Sequence, residues 1–346
     1  MRIIIDINHP AHVNFFKNAV CRLFEDGHEI TITVLERGVL PQIVFKEFGY
    51  VKCVPIGRRS GNIFSIVFEA NLIKFFKMLA FVFKNDINIG LGVGTFLLGA
   101  CLKFKGVPNI QFDDDIERKE EIFLEKATCT KLYFPPICKA GKKIKTYNAS
   151  KEWAYLSPKY FNANQEALKE YNINPREYIF IREVDTATFN YRHQRPNLIE
   201  SLAKQLPSSL KVLLSLENKS RKNYYPQEWI LLKEPVKDIH SLMYFSKLVI
   251  SSGDSIAREG ALLGVPSIYC GFRKMAINKF VEKKGMFYQI APKEVPEFVK
   301  KVVQGHINFE NQDILRQKLF QEWDDVTKLI VKETEEYVRI KEKQWI

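Results

Sequence analysis

Two histidines and an aspartate share one short stretch near the amino terminus, Asp6-Ile7-Asn8-His9-Pro10-Ala11-His12-Val13-Asn14-Phe15-Phe16. A histidine in the first turn of a helix is kept neutral by the helix dipole, which makes His12 a candidate general base. The plainer reading gives His9 and His12 to loop carbonyls. Asp113, Asp114 and Asp115 form an acidic run able to serve as a base or to hold a divalent ion. For Asp115, helix capping and pairing with Arg118 or Lys119 is the stronger role. The third constellation is Ser251-Ser252-Gly253-Asp254-Ser255-Ile256-Ala257-Arg258-Glu259, a small-residue turn behind an apolar run. Unpaired amides and the dipole at a helix amino terminus favour a phosphate, with Arg258 in support, and Glu259 one turn further reaches towards a ribose diol. An ordinary turn capped by Asp254 or Ser255 accounts for the same residues.

The elements around these residues alternate. Arg2 to Ile7 reads as a strand, His12 to Glu25 as a helix with Val13, Phe16, Val20 and Leu23 at helical spacing, and Glu29 to Leu35 as a second strand. Tyr50 to Ile56, Ile87 to Val93 and Asn109 to Phe112 read as strands, with helices over Ile63 to Lys84 and Thr95 to Lys105. In the second half, strands are expected at Glu177 to Arg182, Leu210 to Leu216, Trp229 to Leu232, Leu248 to Ile250 and Pro266 to Tyr269. Helices fall at Asn197 to Leu206, Ile239 to Ser246 and Ser255 to Leu263. Such alternation predicts parallel, doubly wound sheets, whose ligands sit at the carboxyl ends of strands. All three constellations lie at such ends. Lys142 to Asn174 suits an interdomain connection, and about Asn311 to Lys341 a charged amphipathic helical region with Phe320, Trp323, Val326 and Ile330 on one face.

With 346 residues, 46% of them hydrophobic and 27% charged, the chain is globular and long enough for two domains. Its greasiest stretch, Ile63 to Phe83, carries Glu69, Lys74 and Lys77, so no membrane-spanning segment is expected. The opening residues lack the order of a signal peptide, and the cytosol is the expected compartment. Six scattered cysteines form no CxxC pair and are expected to stay reduced. The net charge of +12 predicts an anionic partner. Nucleic acid is the weakest choice, because the basic residues form no arm or stripe. The first loop has no glycine, which disfavours a dinucleotide cofactor. Within Ile63 to Lys84, Phe64, Phe68, Phe75, Phe76, Phe81 and Phe83 mix with Lys74, Lys77 and Lys84. That pattern fits an anionic bilayer surface, although a core-facing helix is the better expectation. Arg58 and Arg59, with Ser60, Gly61 and Asn62, could reach a phosphate or simply be solvated.

The segment SSGDSIAREGALLGVPSIYCG resembles the carboxy-terminal nucleotide-sugar signature of GT-B proteins, a small-residue turn and a Glu-bearing helix followed by Gly-x-Pro. The opening DINHPAHVNFFKNAVCRLFEDGHEITIT resembles the start of domain-of-unknown-function family 354. That likeness extends through Gln111-Phe112-Asp113-Asp114, Ile181-Arg182 and Asp238 to Ser246. The family is similar to GT-B glycosyltransferases and to non-hydrolysing UDP-N-acetylglucosamine 2-epimerases. The resemblance implies an α/β GT-B fold of two facing Rossmann-like domains with parallel sheets and an interdomain cleft. Residues 1–150 would form the acceptor domain, 151–318 the nucleotide-sugar domain, and 319–346 a helix packing back across them. It implies that Ser252 and Gly253 meet a diphosphate, Glu259 the ribose and Arg182 a phosphate, and that His12 lies near the acceptor. Asp6 and His9 would line the substrate, and Asp113 and Asp114 would supply a second base. Such enzymes need no metal. Asp254, where relatives carry glycine, would repel a diphosphate unless turned away.

The expected function is therefore transfer of a sugar from a nucleotide-diphosphate sugar, UDP in the first place, to a cell-surface glycan or lipid-linked acceptor. The enzyme would work in the cytoplasm or at the inner face of the membrane. Two rivals stay open: a UDP-sugar 2-epimerase, using carboxylates around Asp6, Asp113, Asp114 and Glu183, and a non-catalytic protein that binds nucleotide sugars or glycans.

Overall fold

The computed structural model describes residues 1–59, 71–186, 191, 194–207, 210–233 and 236–343, and every structural statement below concerns these. Ser60, Gly61, Asn62, Phe64 and Phe68 lie outside the described residues. The chain forms two compact units, one of Met1–Tyr155 with Trp323–Ile346 and one of Leu156–Glu322.

The first unit runs β1 (Arg2–Ile7), α1 (Pro10–Glu25), β2 (Glu29–Glu36), α2 (Leu40–Glu47), β3 (Lys52–Arg58), α3 (Lys74–Lys84), β4 (Ile89–Val93), α4 (Phe96–Lys105), β5 (Asn109–Phe112), α5 (Lys119–Thr128), β6 (Lys131–Phe134) and β7 (Ile144–Thr146). A short α6 (Trp153–Leu156) leads into the second unit. There follow α7 (Glu166–Lys169), β8 (Tyr178–Glu183), α8 (Leu198–Ala203), β9 (Lys211–Leu216), β10 (Ile230–Leu231), α9 (Ile239–Tyr244), β11 (Leu248–Ser251), α10 (Asp254–Leu262), β12 (Ser267–Tyr269), α11 (Ala276–Glu282), β13 (Phe287–Gln289), α12 (Val295–Val303) and α13 (Gln312–Glu322). The last helix, α14 (Val326–Lys343), belongs to the first unit.

Both sheets are parallel, ordered β3-β2-β1-β4-β5-β6-β7 and β10-β9-β8-β11-β12-β13. Each unit is Rossmann-like, and the strand order reverses direction once in each, between β1 and β4 and between β8 and β11. Helices cover both faces of the first sheet: α1 packs with α2 and α14, whereas α4 packs between α3 and α5. Burial on two faces explains the nearly unbroken apolar run in β1. Ile4, Ile56, Met78, Val82, Leu98 and Leu102 form the core under α3 and α4, and Ile181, Leu198, Leu214, Ile250 and Val299 anchor that of the second unit.

Three expectations need correcting. Ile144–Thr146 joins the first sheet as its edge strand, so that sheet extends into the stretch read as a connection. The carboxy-terminal helical region is two helices, because Asp324 and Asp325 divert the chain. Asp324 accepts from the Asn148 amide at 2.6 Å and Asp325 caps α14 by accepting from Lys328 N at 2.9 Å. Trp323, Val326 and Ile330 are buried as expected, but the break leaves Phe320 exposed. Finally, Lys74 does not point to solvent or lipid. Its buried ammonium pairs with Asp6, and its stem runs so close to Gly57 (φ +81°) that a Cβ there would sit 2.7 Å from Lys74 Cβ.

Candidate functional site

In the first unit the chemistry gathers where the strand order reverses. His9 caps α1, its Nδ1 accepting from Ala11 N at 3.2 Å, and Pro10 at the first helical position has no amide to satisfy. His12 is thereby fixed one turn in, its ring centroid 5.9 Å from that of His9. Burial, then the nearby charges of His9, Lys151 and Arg118, hold the His12 pKa well below its ordinary value, against the weaker pull of Asp114. His12 as a whole residue is half-buried. Its Nδ1 lies 3.5 Å from Asn8 N, the outer limit of a hydrogen bond, so the tautomer is only weakly set.

Asp6 serves this loop from beneath. Its fully buried carboxylate takes Lys74 Nζ at 2.8 Å, Thr33 Oγ1 at 2.8 Å and Asn8 Nδ2 at 3.0 Å, while Lys74 also donates to Asn8 Oδ1. Its oxygens are enclosed by the protein, which makes Asp6 an anchor for the loop.

Asp113, Asp114 and Asp115, at the end of β5, are all buried. Asp113 Oδ1 accepts from the amides of Asp114 and Asp115 at 2.7 and 3.0 Å, and Oδ2 faces Arg118 at 3.3 Å. Asp114 pairs with Lys151 at 2.7 Å and Asp115 with Arg118 at 2.9 Å. Arg118 also reaches Glu121. A further carboxyl, Glu125 on α5, is buried against this group. Burial, followed by the neighbouring charge of Asp113, pushes the Glu125 pKa up to about 10. Burial raises Asp113 as well, opposed chiefly by Arg118. All three groups converge under Gly94: a Cβ there would lie 3.6 Å from Glu125 Oε1 and Arg118 Nη2, and 3.8 Å from Asp113 Oδ2.

In the second unit, β11 feeds α10 through Ser252 and Gly253 at the other reversal point. Ser252 and Gly253 are buried and already bonded: Ser252 Oγ accepts from Val184 N, and Gly253 N donates to Ser251 Oγ, both at 3.0 Å. Glycine is required at 253 because Val184 Cγ1 would come within 2.6 Å of a Cβ. Asp254 is turned inward. Its carboxylate accepts from Tyr191 Oη at 2.7 Å and Ser255 N at 3.0 Å, and meets Arg258 at 3.2 Å and Arg273 at 3.6 Å. Arg258 is fully buried and also donates to Asn278 Oδ1 at 2.7 Å. Of this turn, Ser255 and Ile256 retain surface.

Arg182 leans along the sheet towards β9, donating to Ser215 Oγ at 2.8 Å and pairing with Glu217 at 2.9 Å. Glu259 is buried with its Oε2 3.5 Å from His240 Nε2. Glu183 bonds the amides of Ile199 and Glu200 at the start of α8, and accepts from Tyr225 Oη. The structure thus brings His9, His12, Asp113 and Asp114 together in one unit, and Ser252, Gly253, Asp254, Ser255 and Arg258 in the other. Arg182 and Glu259 are drawn to separate partners.

Sequence reasoning did not single out Glu125, Lys151, Tyr191 or Arg273. Glu125 stands on a helix that also bears Glu120 and Glu121, and nothing in spacing alone distinguishes the buried one. A concavity of about 550 Å³, lined in part by Lys103, Asn109, Lys143 and Tyr337, lies at the amino ends of β5 and β6, away from the strand ends that carry these residues.

The family described as "Protein of unknown function (DUF354)" matches residues 130–339. A protein of Methanocaldococcus jannaschii described as uncharacterized protein MJ0665 is 22% identical over 316 residues, 86% of this chain and 90% of that one. Among solved structures, spinosyn forosaminyltransferase SpnP superposes with a TM-score of 0.68 at 11% identity, covering 98% of this chain and 99% of its own. The UDP co-structure of S. aureus MnaA gives 0.68 at 12% identity, covering 98% and 97%. The UDP-GlcNAc 2-epimerase of M. jannaschii gives 0.66 at 14%, covering 97% and 100%. At such identities the likeness shows the fold, which is GT-B.

Proposed function

We propose, for a chain that belongs to the DUF354 family, that it transfers a sugar from a nucleotide-diphosphate sugar, UDP-sugars in the first place, to a glycan or lipid-linked acceptor. The observation that carries this reading is His12: a half-buried histidine whose pKa is held well below its ordinary value, at the reversal point of the first sheet. A neutral imidazole can accept the acceptor hydroxyl's proton as that oxygen attacks the anomeric carbon. The bond to the diphosphate then breaks, and the leaving group's charge is favoured by the amino terminus of α10, with Ser255 at its surface. The inward turn of Asp254 supports this assignment, because its charge is balanced by Arg258 and Arg273. The solved structures named above, a glycosyltransferase and two proteins titled for UDP or UDP-GlcNAc, favour the same substrate class.

A second reading, a UDP-sugar 2-epimerase, is favoured by one observation. His12 is pushed down and Asp113 and Glu125 up, so a base and an acid stand in the same cluster, as proton removal and return on one sugar requires.

A thermal-shift screen of UDP, GDP, CMP and dTDP sugars tests the substrate class. Saturation at about a hundred times Kd adds about 2.7 kcal/mol of stability and raises Tm. No shift at millimolar concentration with any of them would remove the reading. With a binder in hand, product formed without acceptor points to the epimerase and product formed only with acceptor to the transferase. In either case His12→Ala is expected to lower turnover by about 10²–10⁴ while leaving UDP affinity unchanged.

A further inference from the structure

The outer surface of α3 and α4 exposes several large apolar side chains. Leu72, Ile73, Phe76, Phe83 and Phe104 are exposed, Phe76 by 59%, Phe83 by 56% and Phe104 by 71%. The two helices are adjacent, with Phe75 packed between the rings of Phe76 and Phe104 at centroid distances of 5.5 and 6.4 Å, so these side chains belong to one patch. On α3, Phe76, Ala80 and Phe83 follow one side of the helix, while Lys74, Met78 and Val82 are buried beneath it. The core-facing side of the helix is buried, and Phe76 and Phe83 stand on its opposite, exposed side.

The charge on this patch has one sign. The sequences KFFKMLAFVFK and FLLGACLKFK of α3 and α4 contain lysines and no acid. Lys74 is consumed by Asp6, Lys105 by the carbonyls of Val82 and Asn85, and Lys103 by that of Ala127, but Lys77 and Lys84 are exposed beside the rings. The neighbouring α5 offers a contrast, mixing Lys119 and Lys126 with Glu120 and Glu121. A water-facing surface ordinarily mixes both signs and hides its aromatics. A second copy of the chain is a poor occupant, since lysines would face lysines across the contact.

We infer that the α3–α4 surface docks on the anionic headgroup layer of a lipid bilayer, with Phe76, Phe83 and Phe104 entering the acyl boundary and Lys77 and Lys84 meeting lipid phosphates. Aromatic rings supply the buried apolar area and lysines the electrostatic attraction that peripheral binding needs. The surface would bind bilayers whether or not the chain transfers a sugar.

The test is co-sedimentation of the full chain with vesicles of phosphatidylcholine alone and with one-third phosphatidylglycerol. Binding is expected only to the anionic vesicles. Phe76→Ser with Phe104→Ser leaves the net charge unchanged and is expected to weaken binding about tenfold or more. Lys77→Glu with Lys84→Glu is expected to weaken it more than the equal charge change Lys300→Glu with Lys301→Glu on α12. Absence of binding to anionic vesicles, or binding untouched by loss of the two rings, or equal effects of the two lysine pairs, would overturn the inference. Should the double phenylalanine variant fail to fold, Phe104→Ser alone carries the test, its ring being the most exposed of the three.

Discussion

The two points of strand-order reversal occupy equivalent places in their sheets, and the chain has furnished them in opposite ways. Beside the first of them, at the ends of β4 and β5, the carboxyls of Asp113, Asp114, Asp115, Glu121 and Glu125 share the two cations Arg118 and Lys151. Between β8 and β11, the one carboxylate of Asp254 faces two arginines and a tyrosine hydroxyl. Surplus acid in a buried place stores protons, and Asp113 and Glu125 are raised accordingly. Surplus cation holds an anion, here the protein's own. Equal topology thus supplies two addresses, and the local count of charges decides what each can handle.

Removing the buried guanidinium is the strongest way to break that contrast. Arg258→Met takes from Asp254 the nearer of its two arginines, and is expected to cost about 3–5 kcal/mol in urea unfolding. Adding Asp254→Asn should restore much of the loss. The opposite result belongs to Glu125. From ordinary carboxyl pH upward the unfolded chain ionises this residue freely, whereas the folded chain keeps its proton until about pH 10. Folding therefore becomes costlier as pH rises through that window. Glu125→Gln keeps the shape without the titration, and is expected to add about 1–3 kcal/mol near pH 8 and little near pH 4, read from urea midpoints at both. A subtler change is Lys151→Met, which removes a cation near His12 and the ammonium that faces Asp114. Both effects favour the imidazolium, so the His12 pKa, followed by NMR, should rise by up to about one unit. Smallest is Ser255→Ala, which should weaken nucleotide-diphosphate affinity by about 1 kcal/mol in calorimetry with no change in Tm.

Most strands of both sheets were legible because each is a β-branched run between turn residues, as in Ile3-Ile4-Ile5 and Leu248-Val249-Ile250. Strand β7 was hidden, since Ile144-Lys145-Thr146 is short, polar and exposed on an edge that needs little apolar surface. The addresses of His12, Asp113 and Asp254 were legible for a topological reason: strand ends can be read before any contact is known. Their partners could not be read in the same way. Lys74 looks amphipathic in sequence, and only the approach of Gly57 and Asp6 makes its ammonium structural. The burial of Glu125 depends on the fold of the loop at Gly94, 31 positions away by residue number.

The polypeptide leaves the first unit at Tyr155 and re-enters it at Trp323, where the Trp153 and Trp323 rings meet and Thr327 Oγ1 donates to Ala154 O at 2.8 Å. Residues 156–322 are therefore a module inserted into another. During synthesis the inserted module emerges entire while its host still lacks α14, the helix that packs on α1. Order of appearance on the ribosome and order of completion are thereby reversed: the half translated first is finished last.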